Sequence, residues 1–484
     1  MRAAYTAQQV RDAEVELLAR TAEGALMRRA AFGLAVHARR MLGESGAVAG
    51  ATVALLVGAG NNGGDALWAG VELRRRGVGV DAVLLVPDRA HPAGLAALRP
   101  AGGRILEAGP AAQAAVARAD LVLDGIVGIS SRGALRAPAP DLVDAARRAG
   151  VPVLAVDLPS GTDPDTGAVE GPAVTASETV TFGALKPVHV LAAARCGPVH
   201  LVDIGLTPLL PEPYLHVLEP GDVADRWPVP GPTDDKYTQG VTGIAAGSSV
   251  YPGAAVLATG SAVLATSGMV RFAGDAAPGV RDHWPEAVAA SSVAAAGRTQ
   301  AWSVGPGIGT DEAGRDVLAA VLERDVATCI DADAITLLGQ HEDLRRGLAG
   351  RPVVLTPHDR EFARIAGEVG PDRVAAARRA AAELGVTVLL KGNATVVADP
   401  DGRALAHPSS TSWAATAGSG DVLTGIIGAL LAAGLEPWWA AGCATFIHGR
   451  AAQLAADGAP APASRILAAI PEAIRRLRRD RPRS

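Results

Sequence analysis

Ala51-Thr52-Val53-Ala54-Leu55-Leu56-Val57 runs directly into Gly58-Ala59-Gly60-Asn61-Asn62-Gly63-Gly64-Asp65. The first part is an unbroken apolar run, which reads as a strand buried on both faces. The glycines after it read as a tight turn opening a helix, and they satisfy the pattern G-x-G-x-x-G. Such a turn aims backbone N–H groups and a helix N-terminus at an anion. Its polarity is unusual for a dinucleotide turn, because Asn61, Asn62 and Asp65 put side-chain oxygens where bare backbone suffices. The plainer alternative is a structural turn with Asp65 capping the helix.

Upstream, residues 6–42 carry apolar positions at helical spacing (Val10, Leu17, Leu18, Leu26, Met27) and read as helix. Downstream, apolar runs recur at 81–86, 120–123, 151–156 and 178–182, with helix-like segments between several of them. Buried strands alternating with helices predict a Rossmann-like, doubly wound, mostly parallel α/β domain over residues 1–215. Two further strands end in carboxylates: residues 121–124 (LVLD) run into GIVG, and 153–157 (VLAVD) into LPSG. In open α/β sheets the site lies outside the carboxyl ends of the strands. Asn62, Asp124, Asp157 and Ser160 can therefore converge on one crevice, although any one of them alone could equally cap a loop.

The periodicity then breaks. Pro208, Pro211, Pro213, Pro220, Pro228, Pro230 and Pro232 fall in a stretch with little apolar pattern, which places a Pro-rich linker at 216–235. Alternation resumes over 236–484, with strands at 240–246 and near 301, 327, 353 and 386. A long Ala-rich helix starts near 253, and the final helices start at about 420. No short internal repeat is visible.

The strongest chemical signal is Ala417-Gly418-Ser419-Gly420-Asp421 before the apolar run 422–435. Glycines before a helix offer N–H donors and the helix dipole to a phosphate. An Asp at that place can take the proton from an attacking hydroxyl. Lys391-Gly392-Asn393-Ala394-Thr395 forms a turn between two apolar runs, where a Lys and backbone can hold nucleotide phosphates. Residues 303–309 (SVGPGIG) and 355–358 (LTPH) also end apolar runs and could close over a substrate. Asp331 and Asp333 could order Mg²⁺ through water or cap a helix.

With 484 residues, two domains are the natural expectation. Hydrophobic residues make up 49% and charged residues 20%, a globular balance. Aromatics are only 3%, so the cores must be built from Ala, Val, Leu and Ile. A net charge of -5 gives no electrostatic case for nucleic acid. The basic run 475–479 reads as the solvated end of a last helix. Cys196, Cys329 and Cys443 are scattered and suggest neither a metal site nor a disulfide framework. The N-terminus lacks the apolar core of a signal peptide, and 254–270 and 422–435 fall short of a spanning helix. A soluble, cytoplasmic protein without a membrane partner is expected.

GAGNNGGDA, VLDGIVG, VLAVDLPSGTD and TVTFGALKPVH together resemble the NAD(P)H-hydrate epimerase family over roughly residues 1–215. The resemblance implies interconversion of the R and S forms of the cofactor hydrated at C6, with a bound K⁺ on Asn62, Asp124 and Ser160. It places the substrate (NAD(P)HX) against Asn61, Asn62, Gly63, Gly64 and Asp65. The loop Gly128, Ile129, Ser130, Ser131, Arg132, Gly133 and Ala134 would also face it, and so would Asp157. Asp157 is the expected acid/base group, since epimerisation at C6 needs proton transfer around the carbinolamine.

In the second half, YPGAA, GPGIG, DADAITLL, LTPHDREF, LLKGNAT and AGSGDVLTGIIGALL occur in the order of the ADP-dependent NAD(P)H-hydrate dehydratase family. That resemblance implies a ribokinase-like α/β domain with Mg²⁺, and ADP as co-substrate. Lys391, Gly392, Asn393, Ala394 and Thr395, with Gly418, Ser419 and Gly420, would hold the nucleotide. Ala255, Gly307 and His358 would lie on the hydrated cofactor, with Asp421 as the catalytic base. Homo-oligomers are common among such enzymes. Three rivals compete with this reading, the first a ribokinase-like kinase of a small alcohol, which would not need the first domain, and the second an NAD-dependent dehydrogenase, which leaves the second half unexplained. The third makes the first domain a degenerate binding module.

Overall fold

The structure, a computed structural model, describes residues 1–130, 132–266, 268–409 and 411–479. The chain divides into two compact units, Ala3–Leu215 and Met1–Arg2 with His216–Ser484.

In the first unit an all-parallel sheet runs in the order Arg104–Glu107, Gly79–Leu84, Thr52–Val57, Leu121–Gly125, Val153–Val156, Glu178–Phe182 and Val199–Val202. The central strands are buried, as their unbroken apolar runs require. The two edge strands were not anticipated, because they are half exposed and carry no such run. The expected single helix over 6–42 is two helices, Ala7–Ala19 and Ala25–Ser45, separated at Gly24, whose φ of 69° lies in the left-handed region. Thr6 caps the first and forms a capping box with Gln9.

The turn after Thr52–Val57 packs directly on the neighbouring strand end. A Cβ on Gly58 would lie 1.8 Å from the Ile126 carbonyl oxygen, so no other residue fits there. This close approach brings Asn62 beside the turn at 125–128.

In the second unit the sheet runs Leu215–Val217, Ala404–Pro408, Ala394–Ala398, Thr387–Leu390, Val353–Leu355, Ala327–Ile330, Ala301–Val304, Val241–Ala245, Met269–Ala273 and Val288–Ala290. It is parallel except where Ala394–Ala398 pairs antiparallel with both its neighbours. Much of the stretch read as a linker is built into this unit. Residues 216–217 extend a strand, Pro220–Arg226 is a helix, and Leu218, Val223 and Trp227 join the core. Prolines misled there because Pro220 sits in a helix first turn, where its missing N–H costs nothing. Residues 228–240 hold neither helix nor strand.

The helix Ser419–Ala432 is buried from Val422 onward and packs against Pro252–Ala265. Small residues set how close they come: a Cβ on Gly425 would lie 2.1 Å from the Ala258 carbonyl oxygen and 2.0 Å from Ser261 Oγ. Cys196, Cys329 and Cys443 are all buried and free. Burial pushes the thiols of Cys196 and Cys443 up to about 12, and that of Cys329 well above its usual value. Among the described residues no helix is long and apolar enough to cross a membrane.

Gly425→Ala gains about 1 kcal/mol of helix propensity. The Ala258 backbone cannot move aside, however, and overpacking costs about 1–3 kcal/mol. The variant is expected to unfold at lower denaturant than the parent. Gly253→Ala, where nothing lies within 4 Å, should unfold no earlier than the parent.

Candidate active sites

In the first unit a cavity of about 310 Å³ opens at the carboxyl ends of the central strands. Asn61, Asn62, Asp65, Gly128, Ile129, Ser130 and Asp157 line it, and Arg11 and Glu14 reach it from the first helix. Gly63 and Gly64 are buried behind this wall. Arg132, Gly133 and Ala134 do not line the cavity. The Arg132 guanidinium is instead paired with Asp163 (3.2 Å) and Asp165 (2.8 Å). Ser131 lies outside the described residues.

Asp157 sits at the floor. Its Oδ1 accepts from Lys186 Nζ (2.6 Å) and Thr181 Oγ1 (2.8 Å), and its carbonyl faces His189 Nε2 at 2.8 Å. Burial pushes this carboxyl up, but Lys186, His189 and Thr181 outweigh it and hold it below the ordinary value. Asp157 is therefore ionised at neutral pH. Lys186 was missed, although it lies within the TVTFGALKPVH motif. The only available signal was an ionisable residue in a run that must be buried.

Asp65 does not cap its helix. Gly60 is the N-cap, and Asp65 lies inside Asn61–Arg74. Burial, then Asp157 and Glu14, hold its carboxyl well above the usual range. Glu14 is also raised, chiefly by burial.

Asp124, Ser160 and Asn62 meet at the turn 126–128. Ser160 Oγ and its backbone N donate to Asp124 (2.7 and 2.8 Å), and Ser160 Oγ accepts from Val127 N (3.1 Å). Asn62 Nδ2 donates to the carbonyls of Val127 and Val156. Burial raises the fully enclosed Asp124 carboxyl to about 6. Among the described residues no basic side chain pairs with it. A buried carboxylate without a counter-charge, among oxygen donors only, fits a hard cation.

The second unit holds a cavity of about 780 Å³. Its wall includes Lys391, Gly392, Asn393, Thr395, Ser419, Gly420, Asp421 and His358. Asp331 is fully buried beneath it. Asp331 Oδ1 accepts from Lys391 Nζ (2.6 Å) and Oδ2 from Thr424 Oγ1 (2.7 Å). Burial pushes Asp331 up, but Lys391 and Thr424 prevail and hold it low. Burial likewise lowers Lys391, but Asp331 and Glu361 raise it further, so both are charged. Burial, then Asp331, raise Asp421 to about 6, poising it as a base near neutrality.

Gly418, with φ 84°, is the N-cap of Ser419–Ala432, and Ser419 rests on His448. Burial depresses His448 to about 4, so it stays neutral. Neither Asp331 nor Asp333 is a side-chain cap. Asp333 accepts from Gly309 N (2.9 Å), tying down the glycine loop. Each Asp331 oxygen accepts one of the bonds from Lys391 and Thr424 and keeps a second lone-pair site, so this carboxylate would suit a hard divalent ion such as Mg²⁺, directly or through water.

His358 caps Asp359–Ala366 through a capping box with Glu361, so it has a structural task besides lining the cavity. Ala255 and Gly307 meet at the turn of Gly247 and Tyr251, outside this cavity's lining. Ala255 is fully buried. Ala394 is buried too. Thr424, Glu361 and His448 went unrecognised because helical apolar runs and caps account for such residues equally well.

Residues 23–188 match the family model described as YjeF-related protein N-terminus, and residues 242–472 match NAD(P)H-hydrate dehydratase. The bifunctional NAD(P)H-hydrate repair enzyme Nnr of Mycobacterium tuberculosis (strain ATCC 25618 / H37Rv) is 58% identical over 439 residues, 90% of each chain. That of Mycobacterium leprae (strain TN) is 54% identical over 484 residues, covering 99% of this chain and 100% of the relative. A solved ribokinase-like superfamily protein from Enterococcus faecalis V583 shares the second unit's fold, with TM-score 0.50 and 22% identity. It covers 55% of this chain and 96% of its own. The ADP/ATP-dependent NAD(P)H-hydrate dehydratase from Bacillus subtilis, co-crystallised with ATP/Mg²⁺, is 29% identical with TM-score 0.48, over 54% and 99%. With such identity along nearly its whole length, the chain belongs to the family of bifunctional NAD(P)H-hydrate repair enzymes.

Proposed function

We propose that the first unit interconverts the R and S forms of hydrated NAD(P)H, and that the second dehydrates the S form with ADP to give NAD(P)H, AMP and phosphate. The observation carrying this reading is the Asp421 carboxyl, poised near neutrality on a helix first turn beside the charged Lys391–Asp331 pair. The same chain holds a separate acid/base crevice around Asp157.

In the second unit, Lys391 and the turn to Thr395 hold the nucleotide, and the N–H groups of Gly418 and Gly420 serve its phosphates, while that of Ser419 donates to the Thr416 carbonyl. Asp421 takes the C6 hydroxyl proton as that oxygen attacks the β-phosphate and AMP leaves. Phosphate then departs from C6, driven by the ring-nitrogen lone pair, and loss of a C5 proton restores the double bond. Mg²⁺ bound with the nucleotide supplies charge neutralisation on the transferring group. In the first unit Asn62, Asp124 and Ser160 would hold K⁺, which would neutralise the buried carboxylate. Asp157 serves as its acid/base group. The protein works in the cytoplasm, and a homo-oligomer is its working form.

Chemically hydrated NADH with mixed epimers, supplied with Mg²⁺, K⁺ and ADP, should recover NADH absorbance completely. Asp157→Ala should stop near the S fraction, and Asp421→Ala should abolish recovery. No recovery with ADP or ATP would leave a kinase of an unknown alcohol. Asp421 works as its carboxylate, and its value is raised to about 6, so dehydratase kcat should fall as pH drops below about 6. A flat profile between pH 5 and 8 would remove Asp421 as the base. Lys186→Met would leave Asp157 buried without its counter-charge, at a cost of about 3–5 kcal/mol. It should lower the denaturant midpoint of the first unit.

A further inference from the structure

The first cavity carries more ionisable groups than the epimerase reading has used. Glu14, Asp65 and Asp157 all line it, each from a different element: the first helix, the helix Asn61–Arg74 and the loop after Val153–Val156. One ammonium lies beneath them. The three N–H donors of Lys186 are committed to Asp157 Oδ1 (2.6 Å), Thr181 Oγ1 (2.9 Å) and the Phe182 carbonyl (3.2 Å). Nothing of Lys186 is left for a second carboxylate.

Arg11, the remaining cation in the wall, spends its guanidinium on the Ile129 carbonyl (3.1 Å) and Gln8 Oε1 (2.8 Å). His189 is occupied by Lys186 N and the Asp157 carbonyl. Among the described residues no hydrogen-bond donor reaches Asp65, which is 5% exposed. An enclosed carboxyl beside an ionised one, without a donor, retains its proton. The electrostatics agree, since burial, Asp157 and Glu14 all act in that direction. Asp65 caps no helix, so the fold gives it no other task.

We propose that Asp65 is the proton donor of this site, giving its proton to the departing C6 hydroxyl while the Asp157 carboxylate takes one from the water that adds back. This rests on the epimerase reading of the first unit. The C6–O bond breaks, the oxygen leaves as water with the Asp65 proton, and the ring-nitrogen lone pair forms the N1–C6 double bond. Water then adds to C6 from the opposite face, and its proton passes to Asp157. Each inversion exchanges the protonation states of the two carboxyls. The reverse reaction starts from the exchanged state, and a proton returning from Asp157 to Asp65 through the cavity resets the forward one. Pairs of carboxyls held in opposite protonation states mark acid/base assignments of this kind.

The test follows R-to-S conversion of purified R-NADHX by chromatography, using the full chain with K⁺ and without ADP, so that dehydration is silent. Asp65→Asn should lower kcat by about 10²–10⁴-fold with KM little changed. The wild type should lose rate at high pH as Asp65 ionises, and Asp65→Asn should lack that limb. Asp65→Glu should restore part of the rate together with the limb. In H₂¹⁸O the wild type should gain one solvent oxygen at C6 per inversion. Wild-type kcat and pH profile in Asp65→Asn would overturn the proposal, and so would inversion with the original oxygen retained. A wild-type chain that converts R no faster than buffer would instead overturn the epimerase reading.

Discussion

A carboxylate withdrawn from water must be paired with a cation, given hydrogen-bond donors or kept protonated, since an isolated buried charge costs several kcal/mol. Both units gather carboxyls near the carboxyl ends of buried strands, and these are resolved in three ways. Asp157 and Asp331 each have a lysine at 2.6 Å and are ionised. Asp124 has only serine and backbone donors, so its charge calls for an ion. Asp65 and Asp421 have no adequate partner and are shifted up. The cavities therefore contain neighbouring acids of different strength, and acid/base chemistry at neutral pH needs such a set.

The strand-to-turn segments were legible because a strand buried on both faces must be apolar, and a turn that touches its neighbour's backbone must be glycine. Both constraints are local. The ionic partners were not legible, because Lys391 is 60 residues from Asp331, and Thr424 is 93 residues from it. No spacing rule joins residues that only the sheet order brings together. Lys186 was hidden inside a quoted motif. The proline-rich stretch misled for a related reason: proline forbids a donor, not order, and Pro220–Arg226 packs through Val223 whatever its flanks. Ala255 shows the converse, a residue inside a recognisable motif whose side chain is fully buried.

Beside the buried Trp302, Phe272 and Phe362, the second unit seats its central helix through small residues that allow close approach. Gly425 against Ala258, and Gly428 against Ser303 Oγ, leave no room for a methyl group. Ser303 Oγ also donates to the Thr424 carbonyl (2.8 Å), and Thr424 in turn donates to Asp331. The packing that seats the helix Ser419–Ala432 thus continues into the hydrogen bonds that set the charge of the site. Asp421 is held in place by glycines and a serine that no substrate touches.

The three enclosed cysteines have a practical consequence. A thiol whose value stands near 12 carries almost no thiolate at neutral pH, and thiolate is the form that oxidants and alkylating reagents attack. The folded chain is therefore inert to such reagents until a unit opens. Cys196 belongs to the first unit, and Cys329 and Cys443 belong to the second. The rate at which each is modified thus reports the opening of its own unit, without an added label.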